Sequence, residues 1–204
     1  MVSLTEIQLD GLVEMFNISI GQAAAALSRL GDEEIALSVP SLKFLSLEEA
    51  TLQLNDIHTK RVCGIVQHFD GPFSTDAILM FPEDRSLEIV RMMLGEPYSM
   101  DELSELEQEA MSEIGNIVLN ACIGSIANIT ASEFSSTLPE VKMGTGAEVL
   151  HLGVKGPEET VLLVYIDFNI LSKTIQGYMA FVMDVPSTQG LIGSLDRFVG
   201  LDVD

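Results

Sequence analysis

One order of segments occurs twice in this chain, at an offset near 99 residues: a long helix, a proline, two strands and a short helix. From about Ser3 to Leu30, the residues Leu9, Leu12, Val13, Phe16, Ile20, Ala24 and Leu27 recur at three- and four-residue steps. That is the apolar stripe of an amphipathic helix. Ser3 with Glu6 predicts a capping box at its start, and Gly31 a stop. Pro40 then precedes an apolar run, Leu42 to Leu47. Arg61 to Phe69 and Ser74 to Phe81 read as strands, joined by a turn with Asp70, Gly71 and Pro72. Asp84 to Leu94 reads as a short amphipathic helix ended by Gly95 and Pro97.

The second half keeps this order. Asp101 to about Ile129 is helix-like, with Met111, Ile114, Val118 and Ile126 among its apolar positions. Pro139 precedes a strand-forming stretch, Thr160 to Phe168 and Thr174 to Met183 read as strands, and Ser187 to Val199 as a closing helix. Two copies are too few for a solenoid. They bury their apolar faces best by sharing a sheet about a pseudo-two-fold axis. The expectation is an α+β fold, an internally duplicated helix-strand-strand-helix unit with one shared sheet and two long helices. Residues 1–204 then form a single domain with halves of about 1–98 and 99–204, joined at Gly95 to Asp101.

Charge and chemistry narrow the partners. With 31 acidic residues against 10 basic ones, the net charge of −21 argues against nucleic acid and against anionic membrane surfaces. Runs such as Val161 to Ile166 fall far short of the ~20 apolar residues of a membrane span, so no membrane insertion is expected. Met1 to Asp10 lacks the basic and apolar regions of a signal peptide, and Cys63 and Cys122 form no CxxC, so a reduced cytoplasmic setting is expected. His58, His68 and His151 show no ligand spacing. Gly144-Thr145-Gly146 reads as a turn, Asp32 to Glu34 as a solvated turn, and Met92-Met93 as core filler. Ser112 has no His placed by sequence to activate it.

A polar line repeats along with the apolar stripes. Asp10, Glu14, Asn17 and Gly21 in the first long helix match Glu109, Glu113, Asn116 and Asn120 in the second. Both sets follow i, i+4, i+7, i+11 and so lie on one helical face. Each Asn is followed by a proline 23 residues on, Pro40 and Pro139. A polar helix face is ordinarily just a solvated one, and a mid-helix Asn costs about half a kcal/mol against Ala. Recurrence of the same exposed pair, in register with a repeated fold, argues for a use.

The pattern Asp/Ser-x3-Glu-x2-Asn-x22-Pro resembles the signature of the CheC, CheX and FliY group of bacterial chemotaxis phosphatases, and the likeness spans essentially the whole chain. Two copies and a length near 200 resemble CheC, whereas CheX keeps one site and FliY carries an extra C-terminal domain. Glu109 stands where Asp or Ser is usual, and Phe16 replaces the glycine commonly found before the Asn, which Gly115 keeps.

The resemblance implies a protein aspartyl-phosphate phosphatase acting on a CheY-type response regulator. Asn17 and Asn116 would position water, and Glu14 and Glu113 would pair with the regulator's active-site lysine. Magnesium would belong to the regulator, with no cofactor or metal of the chain's own. Asp10 and Glu109 would be interface or capping groups, and Pro40 and Pro139 would shape the segment after each helix. Retention of Gly115-Asn116 favours the second site as the stronger. CheC relatives also bind the receptor deamidase CheD, so the alternative is a non-catalytic adaptor for a regulator or for CheD.

Overall fold

A computed structural model describes residues 4–31, 34–57, 61–94, 100–156, 158–170 and 173–201. The chain runs α1 (Glu6–Gly31), β1 (Ile35–Ser46), α2 (Leu47–Ile57), β2 (Val62–Asp70), β3 (Ser74–Pro82), α3 (Glu83–Leu94), α4 (Met100–Thr130), β4 (Ser135–Ser136), β5 (Glu140–Gly144), α5 (Gly146–Leu150), β6 (Thr160–Ile170), β7 (Lys173–Met183) and α6 (Val185–Phe198). Ser3, Asp32, Glu33, His58 and residues 95–99 lie outside the described residues, as do the side chains of Met92 and Met93.

The long helices form where the apolar spacing predicts, but α1 opens two residues later than expected. Thr5 is the cap: its Oγ1 accepts from Gln8 N at 3.3 Å, and Gln8 Oε1 accepts from Thr5 N at 2.8 Å. Thr5-x-x-Gln8 satisfies a capping box as well as Ser3-x-x-Glu6 does. Gln8 also has a donor to spare, and its Nε2 reaches Asp196 Oδ1 on α6 at 2.6 Å.

Two short helices, α2 and α5, are additions to the predicted order, and both begin with the same device. Ser46 Oγ accepts from Glu49 N at 3.2 Å while Glu49 Oε2 accepts from Ser46 N at 2.8 Å. Thr145 Oγ1 accepts from Glu148 N at 3.2 Å while Glu148 Oε2 accepts from Thr145 N at 2.8 Å. Gly144-Thr145-Gly146 is therefore the entrance to a helix and not a plain turn.

The sheet is antiparallel throughout, in the order β1-β6-β7-β3-β2, with β4 and β5 both laid along β2. Its order reads the same from either end once each strand is exchanged for its counterpart in the other half. Registers follow: Ile65 pairs with Val141 as Leu42 pairs with Val164, and Leu79 faces Met179 at the centre. Each edge strand pairs with a strand of the opposite half. Both prolines sit where an edge strand is interrupted, Pro40 at the register shift between Ser38 and Ser41 and Pro139 between β4 and β5. Proline has no N–H for a ladder, so an edge interruption suits it.

Four helices (α1, α3, α4 and α6) cover one face of the sheet, burying Leu12, Phe16, Ile114 and Leu195 against Ile65, Phe81 and Met179. The two short helices cover the other face through Ala50, Leu54, Val149 and Leu150. By length and composition alone, Leu106–Asn128 of α4 is long and apolar enough to cross a membrane, which departs from the apolar-run expectation. Of the hydropathic window, 56% is buried inside the fold, where Ile114, Val118 and Ile126 serve the core.

Candidate functional site

Burial of one stripe of α1 forces the other outward. Leu12, Met15, Phe16 and Ile20 are in the core, so Asp10, Glu14 and Asn17 are exposed. On α4, Met111, Ile114 and Val118 are in the core. Glu109, Glu113 and Asn120 are exposed there, and Asn116 is half-buried. Spacing of i, i+3 brings each Glu beside its Asn, with Cβ atoms about 5–6 Å apart. The structure thus groups Glu14 with Asn17 and Glu113 with Asn116, on two helices that pack side by side. Among the described residues, no cation pairs with Glu14 or Glu113, so each carboxylate is open to an incoming one. Asp10 and Glu109 lie inside their helices and not at the first turn, which removes the capping role considered for them.

The two helices meet the sheet differently. A Cβ on Gly115 would stand 2.3 Å from Ile65 Cγ2, so α4 lies hard against β2 at a point where only glycine fits. At the matching place α1 carries Phe16, whose buried ring rests 5.5 Å from that of Phe181 on β7.

Side-chain bonding separates them further. Asn120 Nδ2 donates to Asn116 Oδ1 at 2.8 Å, to Asn116 O at 2.7 Å and to Gln67 Oε1 at 3.3 Å. Gln67 sits on β2 with 2% of its surface exposed, and its Nε2 donates to Thr137 O at 2.9 Å. Around Asn17 the equivalent positions hold Gly21, with nothing within 4 Å of an added Cβ, and the buried Ile166 of β6. Among the described residues, Asn17 has no side-chain partner. Beyond Asn120 the α4 face opens into a cavity of about 300 Å³, walled by Ile123, Gly124 and Phe134.

His68 Nδ1 is 2.9 Å from Asp76 Oδ1, and Lys155 Nζ is 2.8 Å from Asp76 Oδ2. That triad satisfies a buried carboxylate on the sheet face away from α1 and α4. Among the described residues, no group of three or more His, Cys, Asp or Glu is placed to hold a metal ion. Both cysteines are buried and free. Burial pushes the Cys63 thiol up to about 12 and raises that of Cys122 further, which makes both poor nucleophiles.

No protein-family model matches the chain. It is 25% identical over 154 residues to the CheY-P phosphatase CheC of Bacillus subtilis, covering 74% of this chain and 73% of CheC. It is 22% identical over 195 residues to the flagellar motor switch phosphatase FliY of the same organism, covering 94% of this chain and half of FliY. The fold superposes on Thermotoga maritima FliY with a TM-score of 0.77 at 17% identity, over 97% of this chain and all of that one. The chain is thus similar in sequence to CheC and FliY and shares its fold with FliY. A CheX bound to CheY, BeF3 and Mg from Borrelia burgdorferi shares the fold more distantly, with a TM-score of 0.51 at 14% identity over 85% of this chain and 98% of that one.

The sequence pattern places the Glu and Asn of each helix on one helical face. It misses the Gln67–Asn120–Asn116 connection, because Gln67 and Asn120 meet only through the packing of α4 on β2. Asn120 already stood on the repeated polar line opposite Gly21, and that mismatch was the available signal.

Proposed function

We propose that this chain hydrolyses the aspartyl phosphate of a CheY-type response regulator in the cytoplasm, using the faces of α1 and α4 that carry Glu14 with Asn17 and Glu113 with Asn116. The observation that carries the reading is the repeated pair itself. Each half presents a carboxylate with no cation partner among the described residues and, one turn on, an amide, on a helix packed to the sheet. Kinship with CheC and FliY, named as phosphatases, supports it.

An acyl phosphate is already activated, so the task is to hold water in line with the phosphorus. The Asn carbonyl oxygen accepts a hydrogen bond from that water and aims its lone pair. As the P–O bond to the regulator's aspartate breaks, the aspartate leaves as a carboxylate. Water adds to phosphorus, and its proton passes to the departing phosphate or to solvent, so no strong base is needed. Glu14 or Glu113 anchors the helix by pairing with a regulator lysine, and magnesium arrives with the regulator.

The test loads a CheY-type regulator from the same source with a small phosphodonor, removes excess donor and follows phosphate loss. Substoichiometric chain should accelerate the loss, and the double variant Asn17→Ala/Asn116→Ala should not. Binding of the phosphorylated regulator without acceleration would overturn the reading and leave an adaptor.

A further inference from the structure

Resting on that reading, we infer that Asn120 is a positioning residue for Asn116, and that buried Gln67 is its anchor, so that one of the two sites holds its water-directing amide ready-aligned and the other does not.

The argument is one of donors and acceptors. Asn116 Oδ1 has two lone pairs. Asn120 Nδ2 occupies one from 2.8 Å, which fixes the plane of the carboxamide and leaves the other for water. The two N–H groups of Asn120 serve three acceptors, one shared between Asn116 Oδ1 and Asn116 O at 2.7 Å and the other on Gln67 Oε1 at 3.3 Å, so its amide is restrained from both sides. Gln67 cannot turn to release it. Its far end is tied to Thr137 O, and Thr137 is tied to β2 through His68 O at 3.0 Å and His68 N at 3.1 Å. A buried amide spanning a helix and a sheet edge, with both ends satisfied, is a rigid support. A hydrogen bond made before substrate arrives spares the reaction the cost of ordering that side chain.

The test isolates the second site in an Asn17→Ala background and measures phosphate loss against regulator concentration. Asn120→Ala should lower kcat roughly three- to tenfold, the range a single hydrogen bond supplies, with half-saturation unchanged within about twofold. Ala is the better helix former, so the change does not weaken α4 through helix propensity, and urea unfolding of the variant reads any effect of leaving Gln67 Oε1 unpaired. Asn120→Gln keeps an amide donor and should retain more kcat than Asn120→Ala. An unchanged kcat in Asn120→Ala, a loss confined to half-saturation, or equal loss in the Ala and Gln variants would overturn the inference. If Asn17→Ala is inactive while the wild-type chain is active, the second site is idle; the inference falls and the phosphatase reading survives. If the wild-type chain itself does not accelerate phosphate loss, the reading falls and takes the inference with it.

Discussion

Helices α1 and α4 carry the same Glu–Asn pair, yet they stand on the sheet in different ways. At Gly115, α4 touches β2 almost backbone to side chain, and a polar connection runs from Gln67 through Asn120 to Asn116. Phe16 occupies the corresponding place on α1, Gly21 leaves an open face, and Ile166 replaces the buried amide with a methyl-rich side chain. A repeated motif is therefore not a repeated site. Its Glu and Asn recur, while the neighbours around them differ. Preorganisation belongs to those neighbours.

The largest expected effect concerns the footing of the helices. Phe16 is 1% exposed, so Phe16→Ala should empty a ring-sized space and cost about 3–5 kcal/mol of stability in urea unfolding. Gly115→Ala instead adds a methyl where Ile65 leaves no room and should cost about 1–3 kcal/mol. Tolerance of both changes would mean that the helices do not depend on opposite packing at this point, and the comparison would lose its structural half.

Next in size is the split of activity. Removing a water-directing amide should lower the rate at its own site on the order of 10²-fold. With Asn116 bonded by Asn120, and Asn17 without a side-chain partner among the described residues, Asn116→Ala should leave about 10–25% of the total, and Asn17→Ala about 75–90%, following the value of one hydrogen bond. Phosphate-loss assays on the two single variants read this directly. Equal losses would break the comparison at its functional end.

What could be read in advance follows the range of the interactions. The stripes of α1 and α4, the hairpins β2–β3 and β6–β7, and the helices after them are local patterns, and they form within a few residues of their expected bounds. That Glu14 with Asn17, and Glu113 with Asn116, share one face of their helix was legible because a helical face is also local. Cross-half pairing of β1 with β6, and of β5 with β2, was not legible, because a strand carries no label for its partner. Nor was Gln67, whose neighbours Asn120 and Thr137 are distant in sequence. The short helices are a different lesson. Ser46-x-x-Glu49 and Thr145-x-x-Glu148 are capping boxes written plainly in the chain. They went unread because α2 follows β1 without a break and α5 spans only 5 residues, too few for an apolar period to show.

Those two boxes supply the smallest expected effect and the sharpest control, because on their side of the sheet the halves agree. Both carboxylates are fully exposed and held below the usual carboxylate value, first by the backbone N–H of the cap residue and then by its hydroxyl. A depressed carboxyl contributes stability that is complete above its unfolded value and is lost as pH falls through its folded value. Acidification below the ordinary carboxylate range should therefore loosen the starts of α2 and α5 together, while the cap of α1, whose own two bonds join uncharged Thr5 and Gln8, should respond less. Carbon-detected titration of Glu49 and Glu148, with amide exchange in the three caps, measures it. Glu49→Gln and Glu148→Gln keep an acceptor for the cap N–H and should abolish the acid sensitivity without opening the helix starts. A low titration in one box and an ordinary one in the other would show that the asymmetry of α1 and α4 reaches through the sheet. Matched titrations would confine it to the face that bears Asn17 and Asn116, where the difference between the halves bears on the proposed chemistry.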